Sequence, residues 1–372
     1  MNSSKLKTFD LLLFLIPILL LIIGISVIYS LVIGTADSGL IFKQTISGVI
    51  AIVLAIAISF VDYRFFKSVA WIFYFAVILL LVYVDFFGMA AGGAMRWIDL
   101  GFFQLQPSEI AKPALALILA SFFSGKIGKL RFRDIFFSFL IILPPVFLIL
   151  KEPDLGTALV VLFMYVVLIL FSKPNKFQMT LFILIFGLAL TSAALSVKGV
   201  KPFDGLMQDY QKNRILTFID PSLDPYGKGY NVRQAQITVG SGGIFGKGLG
   251  RGSQSQLQFL PKPQTDFIFA GIAESFGFLG LMVYLSLFVI LIIKILNIGV
   301  FAKDNFGMLI CIGAVAIILF QTVVNMGMNI GLMPVTGIPL PFASYGGSAL
   351  ISYFFILGIC QSIIIRHKKI NF

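Results

Sequence analysis

Residues 11–33 read LLLFLIPILLLIIGISVIYSLVI, without one charged side chain. A helix crossing the hydrocarbon of a bilayer needs about 20 mostly apolar residues, so this run is long enough to span. Lys5 and Lys7 ahead of it imitate a secretory signal, but the apolar core of such a signal is only about 7–15 residues long. Leu11–Ile33 therefore reads as a retained first span. Comparable runs recur at 43–61, 68–87, 108–124, 135–150, 154–171, 177–197, 264–293, 306–330 and 347–365. The total is ten spans, an all-α polytopic membrane fold. The runs 135–150 and 154–171 meet at Glu152-Pro153-Asp154, which is either a tight turn or a re-entrant break.

Composition agrees. Of 372 residues, 59% are hydrophobic and 12% charged, and the mean hydropathy is +1.01. A soluble domain carries about 45–50% apolar and about 25% charged residues. Intrinsic disorder, a collagen-like fibre and a secreted disulfide scaffold are excluded. Cys311 and Cys360 both fall inside apolar runs and read as small core residues. The net charge of +12 reports orientation before it reports nucleic-acid binding, because Lys and Arg collect in loops that stay inside. With both termini cytoplasmic, the inside segments hold fifteen Lys/Arg, among them Arg64, Lys126, Arg131, Lys294 and Arg366. The short outside loops hold three, Lys43, Arg96 and Lys151. The stretch 198–262 carries nine, but long loops translocate regardless of charge, so it lies outside. No soluble domain or strong repeat is visible, and residues 1–372 read as one integral membrane domain.

Ionisable residues inside spans cost about 2.5–3.5 kcal/mol on insertion scales, so each needs a reason. Glu109 and Lys112 stand at i and i+3 of the fourth span, where a structural ion pair is the favoured reading. Asp266 opens the eighth span at its outer end, where a lone carboxylate beside a long polar loop suits proton transfer on a lipid-facing substrate. Glu274, two turns deeper, is evenly balanced between structure and function. The loop segment GSGGIFGKGLGRGSQSQLQFLPKPQTD places seven glycines around Lys247 and Arg251. Such a segment can bring backbone N–H groups and cations to a phosphate, or be a flexible tether. Gln254, Ser255 and Gln256 are suited to sugar hydroxyls. The P-loop pattern fails here, since Ser241 stands at its first glycine and Gly248 at its final Ser/Thr. His367, the sole histidine, lies in the basic tail, so neither a Ser-His triad nor a His-ligated metal site can form. Arg96-Trp97 joins a cation to an aromatic ring near the membrane surface, either to hold a diphosphate and a sugar face or to anchor a helix. The last outside loop, MPVTGIPLPFASYGG at 333–347, contains Ser344. Its stiff irregular backbone is tolerated at membrane depth where it lines a cavity or is buried in protein.

Taken in order, RWIDLG, LQPSEIAKPAL, EPDLGTALV, RILTFIDPSLDPYGKGY, the GSGG…GKG…SQSQLQFLP run, TDFIFAGIAE and NIGLMPVTGIPLPFASYGGSAL cover most of the chain. They resemble the SEDS family (shape, elongation, division and sporulation). SQSQLQFLP and VTGIPLPF favour its RodA-type elongation branch over the FtsW-type division branch. The resemblance implies polymerisation of lipid II into glycan strands on the outer face of the bacterial cytoplasmic membrane. It also implies release of polyprenyl pyrophosphate and a class B penicillin-binding protein as transpeptidase partner. The family's catalytic aspartate falls on Asp266, its PSE-x-x-K pair on Glu109 and Lys112, and its RW pair on Arg96 and Trp97. Two departures stand out: Lys262 follows Leu260-Pro261 where relatives often carry Glu, and Ser275 follows Glu274 where many carry a second Glu.

Asp266 is then the expected general base. Arg96, Lys112, Arg214 and Lys247 are the candidates to hold the leaving diphosphate, with Trp97, Glu109, Gln254, Gln256 and Ser344 also toward substrate. A divalent cation (Mg2+ or Mn2+) is compatible with this chemistry, although no cluster of oxygen ligands demands it. No nucleotide and no nucleic acid is expected. The rival readings are a lipid II flippase, a non-catalytic scaffold, and a division-type polymerase.

Overall fold

In the computed structural model, the described residues are 9–32, 38–91, 94–101, 103–257, 259–260 and 263–367, with the side chains of Ala90, Ala91, Ala94 and Gln256 left outside. Ten long helices match the ten predicted runs one for one. In chain order the elements are α1 (Leu11–Val32), α2 (Gly39–Phe60), the short α3 (Tyr63–Ser68), α4 (Ala70–Phe87), strands β1 (Met89–Ala91), β2 (Ala94–Asp99) and β3 (Gln104–Leu105), α5 (Pro107–Phe123), α6 (Phe132–Lys151), α7 (Leu155–Phe171), α8 (Lys176–Val197), α9 (Asp209–Ile219), α10 (Lys228–Ser241), α11 (Ser253–Gln256), α12 (Ile268–Val300), α13 (Asn305–Asn329) and α14 (Gly347–His367). Eight are long and apolar enough to cross a membrane, and α7 is a shorter apolar helix. At 1.5 Å per residue, the 17 residues of α5 or α7 cover about 26 Å, close to the hydrocarbon thickness.

Burial sorts the helices. Most of α5, α13 and α14 is buried, whereas α8 buries only Gln178 and Ser196. The centre of the bundle is packed through small residues, as in membranes generally, where close backbone approach replaces the hydrophobic drive. A Cβ at Gly358 would lie 2.7 Å from the Ala55 carbonyl oxygen, so α14 touches the backbone of α2. Two ends of the bundle are distinguished by contacts. One is closed by Arg64–Asp304 (3.3 Å), Arg366–Asp62 (3.4 Å) and Lys294–Asp10 (2.8 Å). The other, here the loop face, joins the β1–β2–β3 antiparallel sheet, the Glu152–Asp154 junction, residues 198–267 and residues 330–346.

Three elements differ in detail from the sequence expectation. The stretch 198–262, read as an outer loop too long for a mere connection, holds the helices α9, α10 and α11 among its described residues and forms a folded cap. The RWID segment is strand β2, paired on both edges, while Gly92 and Gly93 lie outside the described residues. The eighth span also starts and ends later than the predicted 264–293, and it is broken. Gly277 in α12 has φ 67° and ψ −168°, a conformation essentially reserved for glycine. The backbone groups freed by the break are met by the glycine-rich segment. Lys247 N–H donates to Glu274 O (2.9 Å), Gly248 N–H to Ser275 O (3.0 Å), Phe278 N–H to Gly243 O (2.9 Å) and Leu279 N–H to Ile244 O (3.1 Å). A broken helix at membrane depth requires this kind of substitution.

A Cβ at position 277 would lie 2.2 Å from Gly246 N, on top of a backbone cost of about 1–3 kcal/mol. Gly277→Ala should therefore lower the melting temperature in detergent and speed amide exchange at residues 243–248.

Candidate active site

Asp266 sits half-buried in the turn just ahead of α12. Its carbonyl oxygen accepts from the carboxamides of Asn325 (3.0 Å) and Asn329 (3.1 Å) on α13. The preceding Thr265 carbonyl accepts from Ser344 Oγ (2.7 Å) and the Gln264 carbonyl from Tyr345 N–H (2.9 Å). Ser344 is held in turn: its Oγ accepts from Leu340 N–H (2.8 Å), and its carbonyl accepts from Gln44 Nε2 of α2 (3.0 Å). The 333–346 segment thus lies against the carboxylate, and a Cβ at Gly337 would be 3.8 Å from Asp266 Oδ2.

Arg214 reaches this place from α9. Its Nη1 donates to the Thr336 carbonyl (2.8 Å), and the guanidinium lies 5.6 Å from the Tyr210 ring centroid. Burial, with the neighbouring Arg96 charge, holds its pKa below the ordinary arginine value, while Tyr210, Asp154 and Asp266 support the charged form. Arg96 on β2 is fastened to the junction of α6 and α7, donating Nε to Glu152 O (2.7 Å) and Nη2 to Pro153 O (2.6 Å). Asp154 caps α7, accepting from Thr157 N–H (3.1 Å), Thr157 Oγ1 (2.8 Å), Gln106 Nε2 and Ser108 Oγ (both 3.3 Å). Glu152, just beyond α6, is buried, and neither carboxylate oxygen has a hydrogen-bond partner among the described residues. Burial first, then Asp154 and Asp85, push its pKa up to about 8 against the pull of Arg96.

The sequence candidates therefore separate into groups. Asp266, Arg96 and Arg214 share one electrostatic neighbourhood, with Ser344 bracing its backbone. Trp97 is half-buried on β2, opposite Met89. Glu109 and Lys112 form an ion pair of 2.5 Å with Lys112 wholly buried, and its ammonium lies 5.2 Å from the Tyr353 ring centroid. Tyr353 packs on Phe342 of the last loop, so the pair supports that loop from beneath.

Lys247 and Gln254 belong to a third arrangement, centred on Glu274. This fully buried carboxylate accepts from Ser241 Oγ (3.2 Å), Lys247 Nζ (3.3 Å), Gln254 N–H (2.9 Å), Ser255 N–H (3.1 Å) and Ser255 Oγ (2.5 Å). Glu274 is thus the anchor of the glycine-rich segment. The Gln256 side chain lies outside the described residues. Sequence reasoning passed over Asn325, Asn329, Gln44, Glu152 and Asp154, though a carboxamide pair at i and i+4 inside an apolar run is a visible signal. Among the described residues no group of three or more His, Cys, Asp or Glu could hold a metal ion, and the Asp154 oxygens are already committed.

The family model FTSW_RODA_SPOVE, described as cell cycle protein, matches residues 6–369, and the chain belongs to this family. It is 37% identical over 374 residues to the peptidoglycan glycosyltransferase MrdB of Escherichia coli K12, covering 100% of this chain and 98% of the relative. A solved structure described as structural coordination of polymerization and crosslinking by a peptidoglycan synthase complex superposes with a TM-score of 0.82 at 31% identity, covering 96% of this chain and 98% of that one. The rod shape determining protein RodA of Thermus thermophilus superposes with a TM-score of 0.70 at 29% identity, covering 96% of each.

Two measurements test the supports around the site. Glu274→Ala removes the acceptor of four donors and the ion-pair partner of Lys247, and each buried donor left unpaired costs about 1–3 kcal/mol. The loss should appear as a lower melting temperature and as proteolysis within 243–257. Glu152 titrates near 8 when folded and near 4.3 when unfolded, so stability falls as pH rises between those values. Glu152→Gln should match wild type at about pH 4 and melt progressively higher than wild type up to about pH 8.

Proposed function

We propose that this protein is a peptidoglycan glycosyltransferase of the elongation type, polymerising lipid II into glycan strands on the outer face of the bacterial cytoplasmic membrane. The observation that carries the reading is the Asp266 carboxylate, held on a pinned backbone at the loop face and within the electrostatic reach of the Arg214 guanidinium. The similarity to MrdB and RodA supports the same reaction class.

In the reaction, the acceptor sugar's 4-hydroxyl oxygen attacks the anomeric carbon of the donor. The new bond joins that oxygen to the carbon, the bond from the carbon to the diphosphate oxygen breaks, and polyprenyl pyrophosphate departs with the electron pair. The hydroxyl proton passes to Asp266, which acts as general base. An un-ionised hydroxyl is a weak nucleophile near neutral pH, and a positioned base contributes about 10²–10⁴-fold. Negative charge grows on the departing diphosphate, and the positive charges of Arg214 and Arg96 would stabilise it. Lys247, tied to Glu274, serves the cap that surrounds the site.

Fifteen Lys/Arg against three in the short loops support cytoplasmic termini and an outward loop face. A class B penicillin-binding protein is the proposed partner, supported by the likeness to a peptidoglycan synthase complex in which polymerization and crosslinking are coordinated.

Purified protein given lipid II should make glycan polymer, and Asp266→Asn should lose about 10²–10⁴-fold of the rate while melting like wild type. Polymer made equally well by the variant would remove Asp266 as the base. Transport of lipid II without polymer from the wild type would replace the enzyme reading with a flippase.

A further inference from the structure

We infer that the groove between α9, α10 and residues 333–335 is an anion subsite for the diphosphate of a polyprenyl-linked substrate, with Lys228 as a second cation beside Arg214. The inference rests on the polymerase reading and adds to it a residue and a place. Arg214, Thr217, Lys228, Val232, Met333 and Val335 line this groove.

Charge is the first argument. Lys228 opens α10 and Arg214 lies on α9, so two separate elements bring their cations to one depression. Neither forms an ion pair within 4.0 Å among the described residues. Asp224, the carboxylate at the start of α10, accepts the Lys228 backbone N–H (2.7 Å) rather than its ammonium, and offsets the charge only in part. Burial and Arg214 hold the Lys228 pKa below its ordinary value. Like charges gathered in a half-buried groove oppose folding, and such arrangements concentrate where a ligand of opposite charge binds.

The surroundings select the kind of anion. Val232 is buried and Met333 and Val335 are half-buried, so apolar side chains share the lining with the two cations. A free inorganic anion has no use for such walls, whereas a diphosphate bearing an isoprenoid chain does. Position completes the case. Arg214 donates to the Thr336 carbonyl, the next residue is Gly337, and Gly337 abuts the Asp266 carboxylate. A diphosphate in the groove would therefore stand one loop residue from the proposed base, near enough for its sugar to reach it.

Affinity for undecaprenyl diphosphate in detergent, measured by thermophoresis on the full-length protein, tests this directly. Loss of one charge-assisted contact should weaken Lys228→Ala about tenfold. Lys228→Glu should be weaker still, and Lys228→Arg should stay within about twofold of wild type. Undecaprenol, without phosphate, should not bind with this sensitivity, and phosphatidylglycerol should not compete. Wild-type affinity in both the Ala and Glu variants, with wild-type melting temperatures, would overturn the subsite. Equal displacement by phosphatidylglycerol would assign the groove to a phospholipid headgroup and overturn the substrate assignment. Asp266→Asn should keep full affinity in this assay, so an error about the base shows in the polymer assay and an error about the groove shows here.

Discussion

Three successive carbonyl oxygens, those of Gln264, Thr265 and Asp266, leave the helical pattern in a setting where water cannot be counted on to satisfy them. Each is met by a donor from elsewhere in the chain: Tyr345 N–H, Ser344 Oγ, and the paired carboxamides of Asn325 and Asn329. An unsatisfied buried peptide group costs several kcal/mol in hydrocarbon, so irregular backbone survives at this depth only where protein supplies its partners. The requirement propagates. Asn325 must be on α13 facing the turn, and it also donates to Ile338 O (2.8 Å). Gln44 must be buried in α2 to receive Gly346 N–H (3.1 Å) and to hold the Ser344 carbonyl. Two helices and one loop converge because one short turn cannot satisfy itself.

Placement of the carboxylate follows from that convergence. A base is effective when its oxygen stands where the proton will leave, and errors near 1 Å are costly. Here the backbone of Asp266 is fixed from behind, while its side chain remains half-exposed toward the loop face. The break at Gly277 repeats the same logic one layer away. There the glycine-rich segment, locked by Glu274, supplies the donors that the interrupted helix lacks. The outer cap is held by these few polar contacts, and α8 beside it buries almost nothing.

The ten long helices were legible because apolar runs of that length stand out in a sequence, and eight of the ten are long and apolar enough to cross a bilayer. Asp266 stood out because a charge at a span's edge is expensive enough to demand a purpose, whereas Arg96 on β2 and Arg214 on α9 entered only as candidate partners for a diphosphate. The roles of Lys247 and Gln254 were not, since seven glycines near a lysine fit a phosphate cradle and a backbone dock equally well. What separates those readings is Glu274, twenty-seven residues beyond Lys247, and no local pattern encodes that meeting. Asn325 and Asn329 stood in plain view, but a carboxamide in an apolar run costs far less than a charge and draws less notice. Arg96 shows a further limit: its type and position were readable, yet its attachment to the Glu152 and Pro153 carbonyls depends on how two helices turn.

The two arginines divide the work by what holds them. Arg96 spends two donors on carbonyls of the α6–α7 junction, so its charge is a fixed part of the scaffold. Arg214 makes one bond to Thr336 and sits on a helix of the outer cap, where its charge is half-buried and shared with Lys228. A fixed cation contributes the same field at every stage, whereas one on a less restrained element can gain contacts as negative charge grows on a leaving group. The backbone of Asp266 is likewise held, because its carbonyl has two donors from α13.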